Sequence, residues 1–170
     1  LFMRERRWDE AVEVLEQRAL VLDDEDQRRD TLLQAAATCE ERLDDATRAA
    51  QLYERVRSMD PDSRLAAERL EAIHRQQGNW AELVELLLER SELVPDVAQQ
   101  VQILHDVASI YEHELGDRES AFFVLQAAFN RDHANEETVH ALERLATATG
   151  RWQELLDEYT GRADELERED

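Results

Sequence analysis

Trp80-Ala81-Glu82-Leu83-Val84-Glu85-Leu86-Leu87 reads as the start of an amphipathic helix, and the chain writes it three times. Trp8-Asp9-Glu10-Ala11-Val12-Glu13-Val14-Leu15 precedes it and Trp152-Gln153-Glu154-Leu155-Leu156-Asp157 follows, so the three tryptophans recur at one constant spacing. Each Trp is expected to open its helix, with an acid third in line. The shift that carries Trp8 onto Trp80 also maps Leu32 onto Leu104, Ala36 onto Ala108 and Leu43 onto Leu115. It further maps Asp45 onto Asp117, Ala49 onto Ala121, Asp60 onto Asp132, Leu70 onto Leu142 and Gly78 onto Gly150. A register kept over so many positions marks a repeat, the first thing to settle before any fold is assigned.

Within that repeat lies a second division. Gly116 stands between Gly78 and Gly150, slightly nearer the latter, so three of the four glycines take the same structural place, a turn between helices at positive φ. The repeat is thus a longer unit followed by a shorter one. The fourth glycine, Gly161, sits inside the last helical pattern and weakens it. Apolar residues recur at helical intervals in nine segments, 8–22, 26–43, 45–58, 62–77, 80–93, 96–115, 117–130, 134–149 and 151–167. Asp60-Pro61-Asp62, Pro95-Asp96 and Gly116-Asp117 punctuate them, each ending one helix and capping the next. Short links leave sequential helices no choice but to pack antiparallel.

Composition agrees. The chain has 170 residues, 42% of them hydrophobic, enough to bury roughly 70% of the surface an unfolded chain of this length exposes. Four Gly and two Pro are too few for the turns of an all-β sandwich, which come about every 8–12 residues. With 20 Arg, no Lys and 41 Asp and Glu, the net charge is −21. Clustered cations, the requirement for phosphate binding, are missing, so no nucleic acid is expected as a partner. No apolar run reaches the roughly 18–20 residues of a membrane span, so no membrane insertion is expected either. The chain starts at Leu1, and neither end carries a polar capping helix, so a segment of a longer protein is expected.

Helix pairs of roughly 34 residues resemble the tetratricopeptide repeat (TPR) family. Ala49 to Pro61 carries the likeness best: Ala49 and Tyr53 stand at that family's small and aromatic places, and Asp60-Pro61 at its terminal Asp-Pro. Val107-Ala108 with Tyr111 resembles its first-helix pattern, continued by Gly116-Asp117, Ala121 and Ala128. The pattern is divergent: the longer units carry an extra residue between Tyr111 and Gly116, Glu71 and Glu143 replace a small residue, and Leu83 and Leu155 fill another such place. The resemblance implies an all-α, right-handed superhelical solenoid of antiparallel helix pairs, about nine helices. Residues 1–170 then form a single array, with a half repeat at 8–22 and units at 26–58, 62–93, 96–130 and 134–167. Ala36, Ala49, Ala108 and Ala121 would let helices approach closely, and the tryptophans would fill gaps between pairs.

No chemistry competes with that reading. The glycines are too scattered for a phosphate cradle, and no Gly-x-Ser-x-Gly elbow is present. Cys39 maps onto Tyr111 and reads as a small core residue. His74, His105, His113, His133 and His140 make no i, i+4 pair of the zinc-helix kind, and Asp23-Asp24-Glu25-Asp26 lacks the Gly and terminal Glu of a calcium loop. As an acid cluster at a helix start, that run is explained by the helix dipole. No cofactor, no metal and no catalytic residue is expected.

In the family resembled, the first helices of each pair line a concave groove. Carried over, that face comprises Asp30, Leu33, Ala37 and Glu40; Glu68, Ala72 and Arg75; Gln102, His105, Ser109 and Glu112; and Glu137, His140, Arg144 and Thr147. The Lys and Asn clamp by which some members grip a terminal carboxylate is absent. The expected function is a non-catalytic protein-interaction scaffold holding a peptide or helix, with its acidity favouring a basic partner. The alternative is a structural spacer or self-assembly module, associating end to end through apolar helix faces.

Overall fold

The computed structural model describes the backbone of residues 2–169 and the side chains of residues 6–161. Among the described residues there is no strand, and nine α-helices follow one another: α1 (Phe2–Val21), α2 (Glu25–Thr38), α3 (Ala46–Met59), α4 (Arg64–Gln77), α5 (Trp80–Leu93), α6 (Val97–His113), α7 (Arg118–Arg131), α8 (Glu136–Thr149) and α9 (Trp152–Glu169). Taking α2 together with the π-helical turn that follows it, these bounds agree closely with the sequence periodicity, except that α1 starts well before Trp8. Trp80 and Trp152 open their helices as expected, whereas Trp8 lies in the middle of α1. The apolar residues ahead of Trp8 are too few to betray a helix by periodicity.

The helices fall into two compact units, α1 to α4 in Leu1–Asn79 and α5 to α9 in Trp80–Asp170. In each, helices adjacent in sequence pack on one another. Equivalent positions are buried alike: Leu32 with Leu104, Ala36 with Ala108, Ala49 with Ala121 and Leu70 with Leu142 all belong to the core. Each buried leucine contributes about 1.5–3 kcal/mol, and the alanines keep the helices close enough for those leucines to mesh. In unit 2 the core joins Ala121, Phe122, Leu125 and Phe129 of α7 to Leu142, Leu145 and Ala146 of α8 and Leu155 of α9. Cys39 lies in the unit 1 core with a free thiol, pushed up to about 11 by burial.

The repeat extends into the turns. Among the described residues, Asp44 (φ 55°), Gly78 (φ 71°), Gly116 (φ 69°) and Gly150 (φ 73°) are left-handed, and the repeat shift carries Asp44 onto Gly116. An Asp therefore holds a glycine's place after α2, a conformation that costs most L residues about 1–2 kcal/mol. The residue added to the longer units is absorbed just before this point. In unit 1 it makes a π-helical turn, Cys39–Leu43, closed by the Asp45 amide on the Cys39 carbonyl (3.0 Å). In unit 2 the amides of Glu114 and Leu115 both bond the Ile110 carbonyl (2.9 and 3.1 Å), and Asp117 N closes on Tyr111 O (2.7 Å).

Caps repeat as well. Asp24 and Asp96 cap α2 and α6, and Asp45 and Asp117 cap α3 and α7, each carboxylate accepting from a first-turn amide. Asp24 is thus the helix-start acid expected of the Asp23 to Asp26 run. Asn135 caps α8, but at the equivalent place in unit 1 the cap is Ser63, not Asp62, and its side chain makes no capping bond. One tie was invisible in the sequence. Arg28 Nη2 donates to the Leu22 carbonyl (2.6 Å), and at the equivalent place in unit 2 Gln100 Nε2 donates to the Val94 carbonyl (2.6 Å). Two unlike side chains do the same job, fastening the start of a first helix to the link before it.

The tryptophans do not all fill gaps. Trp80 is partly buried against Leu83, Val84 and Leu87. Trp8 and Trp152 are about two-fifths exposed, and the Arg42 guanidinium lies 5.5 Å above the Trp8 ring.

Candidate functional site

In the pairing read from the sequence, the first helices are α2 and α4, which lie in unit 1, and α6 and α8, which lie in unit 2. On α6 the buried residues Val101, Leu104 and Ala108 face one way and Ile103, Val107 and Ile110 another, which leaves an exposed stripe at Gln102, Asp106, Ser109 and His113. On α8, Leu142, Leu145 and Ala146 are buried and Glu137, His140, Arg144 and Thr147 form the exposed stripe. The helical period therefore puts the expected residues of unit 2 on exposed faces, apart from His105 and Glu112, which turn inward between the helices.

Those two tie α6 to α8. Arg144 Nη1 and Nη2 donate to Glu112 Oε1 and Oε2 at 2.6 and 2.7 Å, a two-pronged bond that fixes the guanidinium. The Glu112 side chain is 8% exposed, and Arg144's hydrogen bonds hold its carboxyl below the usual range. His105 Nε2 shares a hydrogen bond with Thr138 Oγ1 (2.7 Å), and Thr138 Oγ1 also lies 3.1 Å from Asn135 Oδ1. With Glu137 3.9 Å from His105 Nδ1, the set has the outline of a nucleophile, base and carboxylate. Thr138 is fully buried and its hydroxyl also reaches Asn135 Oδ1, so the set reads as a tie between α6 and the start of α8.

In unit 1 the equivalent of Glu112 is Glu40, which again joins first helices. It accepts from Tyr53 Oη (3.1 Å) and Arg69 Nη1 (3.2 Å). Burial, then the Glu40 charge beside it, pushes the Tyr53 hydroxyl well above its ordinary range. The carboxylate keeps its place in both units while its Arg partner changes position, from Arg69 in α4 to Arg144 in α8, because either lies within reach of the same point. Asp30 pairs with its neighbour Arg29 (3.3 Å) and Glu68 with Arg64 (2.6 Å), on exposed surface. Leu33 and Ala37 are half-buried, and Ala72 and Arg75 are exposed.

Two clefts lie between helices read as second helices. A cleft of about 320 Å³ in unit 1, lined by Glu16, Asp45, Thr47, Arg48, Gln51, Leu52 and Arg55, is bridged by its own charges: Arg48 Nη2 and Arg55 Nη1 both reach Glu16, at 2.7 and 3.1 Å. One of about 640 Å³ in unit 2 is lined by Gln126, Asn130, His133, Glu154, Asp157, Glu158 and Gly161. Among the described residues no group of three or more His, Cys, Asp or Glu could hold a metal ion, and no helix is long and apolar enough to cross a membrane.

Asp106 is the residue the sequence reading passed over. Its signal was present, one helical turn after Gln102 and on the same face. The internal pairing of Glu112 with Arg144 had no such signal, since the two lie on different helices far apart in sequence.

The sequence profile of the tetratricopeptide repeat family matches residues 1–29 and 66–101. No curated protein matches the sequence. Among solved structures the chain is similar to MamA of MSR-1, at 21% identity over 96% of this chain and 90% of that one, with a TM-score of 0.47. It is similar to a double mutant of MamA of RS-1, at 19% identity over 96% and 88%, with a TM-score of 0.48. A kinesin light chain-like protein of Podosopora anserina with nearly identical TPR-like repeats is 24% identical over 92% and 88%, with a TM-score of 0.47.

Proposed function

We propose that this chain, a divergent array of tetratricopeptide repeats, is a non-catalytic scaffold that holds a basic segment of another protein along the first-helix face of unit 2. The observation that supports this reading is the uneven charge of the two units. Unit 1 has 13 Arg against 19 acids, a net of −6, whereas unit 2 has 7 Arg against 22 acids, a net of −15. Much of the charge in unit 1 is cancelled locally, through Arg29, Arg48, Arg55, Arg64 and Arg69.

Within unit 2, Glu112 is spent on Arg144, while Asp106, Glu137 and the polar Gln102, Ser109 and His140 stay exposed at helical spacing. Rigid helices present such groups at fixed intervals, which suits a peptide or helix laid along them. Excess negative charge speeds the approach of a basic partner, an effect that salt weakens.

Photo-crosslinkers placed at Gln102 and His140, and at Glu68 and Arg75 as the unit 1 comparison, test this in lysate of the source cells. Crosslinked partner segments rich in Arg and Lys at the first two positions are expected. Acidic segments there, or capture at unit 1 alone, would overturn the reading.

A further inference from the structure

The first helices of unit 2 set three histidines among their acids, His105 and His113 on α6 and His140 on α8. The repeat shift puts Leu33, Glu41 and Glu68 at those places in unit 1, and the one histidine on the first helices there, His74 of α4, is buried. Histidine is the side chain whose charge ordinarily changes between about pH 5 and 8. His105 Nδ1 lies 3.9 Å from Glu137, whose side chain is 79% exposed, while Nε2 is held by the Thr138 hydroxyl. A charged His105 can thus keep its tie to Thr138 and take Glu137 as counter-ion, as Arg144 takes Glu112. His113 Nε2 stands 4.0 Å from Glu112, which Arg144 of α8 and Arg118 of α7 also face. His140 has Glu136, Glu137, Glu143 and Arg144 within about one turn on its own helix. The core contacts of α5 and α7 with α6, and of α7 and α9 with α8, are apolar.

We infer, resting on the unit 2 reading above, that mild acid releases the basic segment from this face as His105, His113 and His140 take up protons. With neutral imidazoles the face carries −2, from Asp106 and Glu137, because Glu112 and Arg144 cancel; three imidazoliums bring it to +1. A cation bound beside an imidazole opposes its protonation, so binding releases protons and affinity rises with pH across this window. Carboxylates ordinarily keep their charge above about pH 5, so the effect comes from charge gained on histidine and not from acid lost.

The probe is a synthetic helical peptide of Arg, Ala and Leu, with Arg on each turn, both ends capped and a fluorophore for anisotropy; none of its side chains titrates between about pH 5 and 8. Wild-type chain is expected to bind it at about pH 7.5, and at least tenfold more weakly at about pH 5.5 and equal ionic strength. Asp106→Arg with Glu137→Arg should abolish binding at the higher pH, which places the probe on this face. His105→Gln, His113→Gln and His140→Gln together should bring the two affinities within about twofold of each other. The pair His113→Gln and His140→Gln, both on exposed surface and so harmless to the fold, should narrow the ratio part of the way. Binding that is equal at both pH values, or a pH profile that survives the triple substitution, would overturn the inference and leave the unit 2 reading standing. So would loss of helix content in wild type at the lower pH, because release would then be unfolding. No binding at the higher pH, or binding that survives Asp106→Arg with Glu137→Arg, would overturn both.

Discussion

Replacing Arg144 by Met removes the guanidinium that holds Glu112 while keeping most of the side chain's length. Two charge-assisted hydrogen bonds of 2.6 and 2.7 Å are lost, and Glu112, almost fully enclosed, is left to find water or the more distant Arg118 at 3.9 Å. Hydrogen bonds to charged groups are worth about 1.5–3 kcal/mol net, and exposed ion pairs about 0–1 kcal/mol. Glu112 is enclosed but Arg144 is 55% exposed, so the expected loss lies between, about 1–2 kcal/mol. For a chain of this size that lowers Tm by about 2–8 °C.

The pH dependence carries the sign. Glu112 titrates below its unfolded value, so the bond's contribution is complete above about pH 4.3 and disappears as pH falls through the lowered folded value. The gap in Tm between wild type and Arg144→Met should stay constant at neutral pH and close in acid. Thermal melts followed by circular dichroism across this range decide it. A gap below about 1 °C at neutral pH, or one that persists unchanged in strong acid, would refute the argument and return Arg144 to the pool of residues free to bind a partner.

Other expectations follow from the repeat. Asp44→Gly relieves a left-handed Asp and should stabilise by about 0.5–1 kcal/mol, whereas Gly116→Ala, which meets nothing within 4 Å, should destabilise by about 1 kcal/mol through strain alone; equal signs in denaturant titrations would contradict the equivalence of the two turns. Asp117→Ala removes the cap on Ser120 N and should cost about 1 kcal/mol, with Asp45→Ala costing a similar amount in unit 1; a thermal shift in one without the other would break the symmetry. Cys39 should resist a thiol reagent in the native protein and react once the chain is unfolded, being fully buried; fast native labelling would show that the unit 1 core opens readily.

The helix content, the order of helices and most of their ends were legible because apolar period, caps and turns all point the same way. Three features were not. The start of α1, Phe2 and Met3 followed by four charged residues, offered no period to read. The extra residue before Asp44 could be placed but its conformation could not be read, since nothing in Cys39 to Leu43 distinguishes a π-helical turn from a loop. The tie of Arg28 to Leu22 and of Gln100 to Val94 escaped because the function is shared by side chains of different chemistry. For the candidate site, the face was carried over from the family resemblance and helical spacing accounts for which of its residues are exposed, but which of its charges are spent internally was not legible. Glu112 with Arg144 and Glu40 with Arg69 depend on distances between helices, which a single sequence does not print.

The central claim is that unit 2 carries the partner-binding face and does so through its excess of exposed acid. Titrating a crosslink-identified basic segment against wild type, Asp106→Arg with Glu137→Arg, and Glu68→Arg, at low and at physiological salt, tests it most directly. The account predicts that the unit 2 variant loses binding, that Glu68→Arg keeps it, and that salt weakens the wild-type interaction mainly through its association rate. Binding that survives Asp106→Arg with Glu137→Arg, or that is indifferent to salt, would contradict it.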